Sequence, residues 1–591
     1  MSLVTTPVTF LRSETDNVFP KPYLNLAKPR VMLLRPPQQF NYGEWPRGPR
    51  LSVPVGLLAI GSFLKDKGID VHIYDCFVEG YNFKGEHLIK KNRSRVNLTQ
   101  RWRRRFEDAN LTEKKEKQHH FGANWDKLRH DLETIRPDVV GITNLFRENT
   151  EETIKAASLV REVLPNAVVA VGGPNATAQF DYMLERTEAI NIIGIGDGEF
   201  TMLEIIEWVQ GKRQINDIKN IVYRGPNNSH IRTSTREWLD NLDELGEINY
   251  DLIKLERYFS YERNGIMARN KFAYAGAERS VSLVTSRGCP YKCCFCSIHI
   301  HAGRKYRRYS IEHTLNHLET LIRKYKVKHI HFEDDNLTLD RTRFMKLMNG
   351  VIERGLKFTW DTPNGIFANT LNEEMLDIMK RTGCIYLIVG VESGDQWVLD
   401  NVIHKQPLTI EKVLNAFRLG KKAGIDMHAF YIIGFPRETL KQIHKTLYFA
   451  MEGLIKYDVI PHMAIARADP GTALYEEASD SGTLMTDHSV SAANLLGVHS
   501  DAFIRHMINT KEFSPEELEG LNEQFHKKAI RVLILKTFRY LLRHPMIALQ
   551  SIGFFIYSLW TEKVPIRDAL VKLFFCRLFY RNALLQKKSF E

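Results

Sequence analysis

The chain has 591 residues, 43% of them hydrophobic and 26% charged, and 82 Lys and Arg against 70 Asp and Glu leave a net charge of +12. That length exceeds one hydrophobic core and implies two to four domains of ordinary soluble composition. Cys76, Cys384 and Cys576 stand singly, which excludes a disulfide framework, and no basic start with an apolar run opens the chain, so a cytoplasmic protein with reduced thiols is expected.

After an N-terminal extension (1–29), "RVMLLRPP" from Arg30 reads as a buried strand closed by prolines, "VGLLAIGSFLKDKG" as a helix and "IDVHIYDCF" as a second strand. A basic insertion at 81–130, with "KKNRSRVNLTQRWRRRFED", reads as a solvated helix and loop. "PDVVGITN", "EETIKAASLVREVL", "AVVAVGGPNAT" and "AINIIGIGDGEFTMLEIIEW" then alternate strand with helix, the pattern of a parallel sheet covered on both faces. Residues 30–215 are therefore expected to form a Rossmann-like α/β domain. Gly172, Gly173 and "GIGDGE" (Gly194 to Glu199) follow its strands, at the carboxyl edge where open sheets bind ligands. Neither completes G-x-G-x-x-G, so a nicotinamide cofactor is not indicated. Residues 216–280 read as a linker with a small hairpin, "NIVYRGPNNSHIRT".

From Ser282 the alternation restarts: "VSLVTS", "HIHFEDD", "KFTWDTP", "IYLIVGVESG", "MHAFYIIGFP" and "HMAIARADPG" are six strand signals. They predict a partial (β/α)6 barrel over 281–480 with its site at the strands' carboxyl ends. Residues 481–591 read as helical.

The first barrel strand leads into "RGCPYKCCFCSIH" (Arg287 to His299), where four cysteines occupy eight residues. Cys289, Cys293 and Cys296 are spaced C-x-x-x-C-x-x-C. A zinc site wants a second pair of ligands, and none follows. Three thiolates on one loop suit a 4Fe-4S cube with its fourth iron open. Cys294 faces away if its neighbours bind.

At these residues the chain resembles the radical SAM superfamily, whose signature is C-x-x-x-C-x-aromatic-C after the first barrel strand. The resemblance implies a 4Fe-4S cluster on Cys289, Cys293 and Cys296, with S-adenosylmethionine chelating the open iron. Reduction by a one-electron donor such as flavodoxin or ferredoxin then yields a 5′-deoxyadenosyl radical that abstracts hydrogen. It also implies S-adenosylmethionine contacts at Phe295, at Glu333, Asp334 and Asp335 of "FEDDN", at Glu392 and Ser393 of "GVESG", and at Ile433 and Gly434 of "IIGFP". Two acidic residues replace the family's glycines in "FEDDN". The domain in front resembles the cobalamin-binding domain that precedes many such barrels. The mutase motif D-x-H-x-x-G is absent; the nearest string, "DVHIYD", places His72 inside a strand. Asn144, Gly172, Gly173 and Gly196 are the residues that the resemblance assigns to the corrin.

The tail reads "KTFRYLLRHPMIALQSIGFFIYSLWTEK" from Lys536, without Asp, Glu, Lys or Arg from His544 to Thr561. Pro545, Gln550 and Ser551 weaken it as a spanning helix, and the basic flanks suit an interfacial helix or one covering an apolar pocket. The layout resembles bacteriochlorophyllide side-chain methyltransferases and the anaerobic cyclase of bacteriochlorophyll synthesis. The expected function is methylation of an unactivated carbon with two S-adenosylmethionine consumed, on a large apolar or tetrapyrrole-like small molecule, at the cytoplasmic side of the inner membrane or free of it. Radical cyclisation or oxidation without methyl transfer, on a tetrapyrrole or isoprenoid lipid, is one alternative. A non-catalytic iron–sulfur protein is another, and nucleic acid is not an expected partner. Trp45, Arg47, His299, Arg304, Trp360, Asn364 and Tyr431 are the expected substrate contacts.

Overall fold

The computed structural model describes residues 26–41, 52–80, 118–263, 279–485, 508–543 and 545. Most of the basic insertion, Trp45, Arg47 and the tail beyond Pro545 lie outside them.

Two sheets organise the chain. The front sheet runs in the order β2-β1-β3-β4-β5-β6-β7, with β1 at Val31–Arg35, β2 at Val71–Asp75, β3 at Val139–Thr143, β4 at Val168–Gly172 and β5 at Ile192–Gly194. These five are parallel. Their near-continuous apolar runs follow from burial on both faces: Val31, Met32, Leu33 and Leu34 alternate between two cores and are all 2% exposed or less. The hairpin expected in a linker is instead part of this sheet. β6 (Ile221–Arg224) pairs antiparallel with β5, and β7 (His230–Arg232) with β6. "IVYR" is buried throughout, so it needed a sheet neighbour that a free linker would not supply.

The second sheet has six parallel strands in sequence order: β8 (Ser280–Leu283), β9 (His329–Phe332), β10 (Thr359–Ile366), β11 (Cys384–Glu392), β12 (Asp426–Ile433) and β13 (Ile460–Ile465). It curls into a partial barrel, since β8 and β13 do not pair. Side-chain caps fix where its outer helices begin: Asp340 before Arg341–Glu353, Thr409 before Ile410–Ala423, and Thr439, in a reciprocal pair with Gln442, before Leu440–Tyr457.

The passage between the sheets packs as core. Tyr250 reaches His317 on a barrel helix (3.2 Å), and Tyr258 donates to Asp75 at the end of β2 (2.6 Å). One buried cluster therefore continues from Leu33 and Val139 through Phe259 to Leu318 and Leu347. Helix Pro515–Arg543 lies against the barrel's last strands, burying Leu518, Phe525 and Ala529 while Lys536 ties to Asp458 at 2.7 Å. Among the described residues no helix is long and apolar enough to cross a membrane.

Candidate active site

After β8 the chain forms a short strap: Ser286–Arg287 pairs antiparallel with Arg307–Arg308, and the cysteine loop hangs between them. Gly288 starts that loop at φ +85°, where a Cβ would stand 2.3 Å from the Lys305 carbonyl oxygen, so only glycine fits. Its N–H donates to Asp335 at 2.8 Å. Asp334, 2% exposed, accepts from the N–H and hydroxyl of Thr285 and from the Ser286 hydroxyl. "FEDDN" thus divides its labour. Asp334 and Asp335 hold the loop, whereas the Glu333 backbone carbonyl accepts from Asn364 Nδ2 (2.8 Å).

Cys289, Cys293 and Cys296 are half-buried. Cys294 turns the other way, 3% exposed among Val398, Leu399, Phe435 and Leu474, with its N–H donating to the Ile403 carbonyl. Burial pushes the thiols of Cys289 to about 11 and Cys296 to about 12, and raises Cys293 as well. The bare thiols are therefore protonated at neutral pH, and a bound metal must displace those protons. Lys405 opposes the effect on Cys293 from nearby. It is 5% exposed and 2.5 Å from Glu392. Glu392 itself sits at φ +68°, a strained conformation for a non-glycine residue. Cys293 lies close enough to Cys289 and Cys296 to raise both thiols, Cys294 packs into a core cluster and a lysine is buried nearby, which suits a cluster held by three thiolates.

Several expected contacts lie elsewhere. Ser393 is fully buried, bonded to Thr446 (3.1 Å), and Ile433 packs in the main core. Gly434 meets the tail helix, where a Cβ would stand 2.5 Å from Leu518. Trp360 and Tyr431 are 0% and 1% exposed: Trp360 packs on Phe332 and Phe344, and Tyr431 on Phe449. Both occupy the helix-facing parity of their strands, so neither meets substrate in this structure. Arg304 donates to the Tyr291 carbonyl and His299 Nδ1 lies 3.0 Å from the Cys296 carbonyl, which makes both supports of the cysteine loop. Asn364 remains exposed at the rim, and Phe295 lies 6.2 Å from Phe435, ring to ring.

At the carboxyl edge of the front sheet, a Cβ on Gly172 would meet nothing within 4 Å. Beside it Leu145 and Phe146 are 39% and 64% exposed, large apolar side chains left open where β3 ends. Sequence reasoning passed over both. Asn144, by contrast, is sealed in a network with Thr153 and Asn175. Gly173 (φ +113°) lies against the Asn144 backbone, and Gly196 faces Trp238 and the His301 carbonyl. These three shape the edge from within. His72, on strand β2, is exposed.

The two edges meet. Helix Pro174–Ala178, after β4, packs on Ile298–His301, after the cysteines. Asp197 and Glu199, after β5, grip the strap: Asp197 binds Arg287 (3.0 Å) and Arg307 (2.5 Å), and Glu199 binds Arg287 (2.6 Å). Arg307 is fully buried and stacks over Trp238 at 4.6 Å. Burial would raise the Asp197 carboxyl, but the two guanidiniums outweigh it and hold it below the usual range.

Residues 283–450 match the Radical SAM superfamily. The chain is 29% identical over 356 residues to an uncharacterized methyltransferase of Pyrococcus horikoshii, covering 60% of this chain and 72% of that one. It is 27% identical over 421 residues to the cytidylyl-2-hydroxyethylphosphonate methyltransferase of Streptomyces wedmorensis, covering 69% and 73%. The fold is similar to that of OxsB, a cobalamin-dependent S-adenosylmethionine radical enzyme, at TM-score 0.61 and 15% identity over 94% of this chain and 80% of that one.

Proposed function

We propose that this chain, whose residues 283–450 match the Radical SAM superfamily, is a cobalamin-dependent methyltransferase acting on an unactivated carbon of a large apolar or planar acid. The observation that carries the reading is the meeting of the two carboxyl edges. The half-buried cysteines and the open Gly172 edge belong to facing elements locked by Asp197, Glu199, Arg287 and Arg307. When bound, the cluster with S-adenosylmethionine supplies a hydrogen-abstracting radical and cobalamin supplies a methyl carrier.

The chain's own residues hold and orient those groups. Cys289, Cys293 and Cys296 bind the cluster, and Asp335, through Gly288, sets the loop that presents them. Lys405, partnered by Glu392, puts a fixed positive charge beside the thiolates, offsetting the negative charge they gather and offering an anchor for a carboxylate. Glu333 and Asn364 provide polar groups at the rim. Leu145 and Phe146 offer an apolar face and Gly172 an unobstructed backbone, which suits a flat macrocycle laid on the sheet edge.

The far end of the chain supports the substrate class. Helix Pro515–Arg543 exposes Ile530, Leu535, Phe538 and Leu542 among Lys527, Arg531 and Arg539, a face suited to a greasy anion or an anionic membrane surface. Bacteriochlorophyllide-like tetrapyrroles and isoprenoid lipids both have this chemistry. The test is product balance in an anaerobic assay with a candidate acid: each methylated product should come with one S-adenosylhomocysteine and one 5′-deoxyadenosine. Deoxyadenosine alone, with an unmethylated oxidised or cyclised product, would favour the cyclase reading.

A further inference from the structure

Below the cysteine loop, the inward side chains of the barrel are polar where packing alone would call for apolar ones. His329 and His331 on β9 face Asp361 on β10, and all three are 3% exposed or less. We propose that His329, His331 and Asp361 form a second metal site, for zinc, in the floor of the barrel. Their ligand atoms all lie within 4.8 Å of one another.

The hydrogen bonds argue for a cation at this point. The Thr359 hydroxyl donates to the Lys328 carbonyl (3.3 Å), so its oxygen is left to accept from His329 Nδ1 (2.8 Å). That bond fixes the tautomer, as an outer hydrogen bond does for a ligating imidazole. Nε2 then faces Asp361 Oδ2, 3.4 Å away. Tetrahedral zinc with bonds of about 2.1 Å separates its ligand atoms by about 3.4 Å. His331 Nδ1, 2.8 Å from Asp361 Oδ1, completes the set after a small opening. No lysine or arginine pairs with Asp361 among the described residues, although it is wholly buried. Two imidazoles and one carboxylate suit zinc, with water as the fourth ligand; an ion there pins β9 to β10 in a barrel that does not close.

The site differs from the cysteine loop in ligands and place, so elemental analysis separates the two. Full-length protein with its iron–sulfur cluster assembled is equilibrated with excess zinc chloride, passed over chelating resin, and assayed for zinc and iron together. About one zinc per chain should remain. Asp361→Asn and His331→Gln should each lower zinc at least tenfold and leave iron unchanged. Cobalt in place of zinc should give the intense visible bands of a four-coordinate ion in the native sequence, which needs no variant to fold. Absence of retained zinc and cobalt bands would overturn the site, leaving a doubly protonated His329 as the cation. Zinc unchanged in a folded Asp361→Asn protein would overturn it equally.

Discussion

Replacing Asp197 with Asn tests the join between the two halves. The change keeps the size of the side chain and removes the anion between Arg287 and Arg307. Arg287 retains Glu199 at 2.6 Å. Arg307 retains the Ala302 carbonyl (2.9 Å) and the Trp238 face, neither of which carries a charge, while remaining fully buried. Stripping the partner from a buried ion costs about 3–5 kcal/mol. Because the acid comes from the front domain and both arginines from the strap, that cost falls on the docked arrangement. At about 1.4 kcal/mol per decade, the open state should gain two to nearly four decades in population. Amide hydrogen exchange by mass spectrometry on peptides covering 194–200 and 286–308 reads this directly, and exchange should speed up at least a hundredfold while the barrel strands stay protected. A pair this buried should respond little to salt. The Asp197 carboxyl is lowered in the fold, so its stabilisation is present above about pH 4 and is lost only as pH falls further. The same contrast should therefore appear at pH 6 and pH 8. Exchange within threefold of the native protein would refute the clamp.

Three further outcomes are expected. Cys289→Ala, Cys293→Ala and Cys296→Ala should each abolish the reconstituted cluster, measured as iron and sulfide per chain, whereas Cys294→Ala should retain it and lose only packing near Leu474. Gly172→Phe and Phe146→Ala should each weaken retention of hydroxocobalamin at least tenfold without altering the circular dichroism spectrum, since one side chain points into open space and the other is exposed; Gly173→Ala should instead destabilise the domain. Burial raises the carboxyl of Glu438 to about 7 although two backbone N–H groups donate to it, so stability is fullest below about pH 4.5 and falls as pH rises through 7. Glu438→Gln should gain up to about 3 kcal/mol on the native protein between pH 5 and pH 8 in urea titrations, and a pH-independent difference would rule that out.

The alternation of apolar runs with helices was legible because both sheets are mainly parallel and buried on both faces. That same burial hid the parity of the strands. In "FTWDTP" nothing local says whether Trp360 or Asp361 points inward, and the aromatic residue turns outward: its indole N–H reaches Thr382, just past the end of the outer helix Glu373–Arg381. Tyr431 failed for the same reason beside Phe430 and Ile432, which are partly open. The cysteine spacing identified its loop because ligand geometry is local. Lys405 was missed because it reaches Glu392 only after a turn through His404 (φ +59°), 13 residues along the chain. The strap arginines were missed because their partners lie up to 110 residues away. Exposure is likewise a tertiary property, and so Leu145 and Phe146 read as ordinary strand-end residues.

The proposed function requires one chain to bring a radical-generating barrel and a methyl-carrying front domain to the same place. It is tested most directly by counting what becomes of S-adenosylmethionine in protein loaded with both cluster and cobalamin, under dithionite and without oxygen. Both S-adenosylhomocysteine and 5′-deoxyadenosine are expected, with Cys293→Ala losing the deoxyadenosine and Gly172→Phe losing chiefly the homocysteine. Deoxyadenosine as the sole product, in the same amount with and without bound cobalamin, would contradict it.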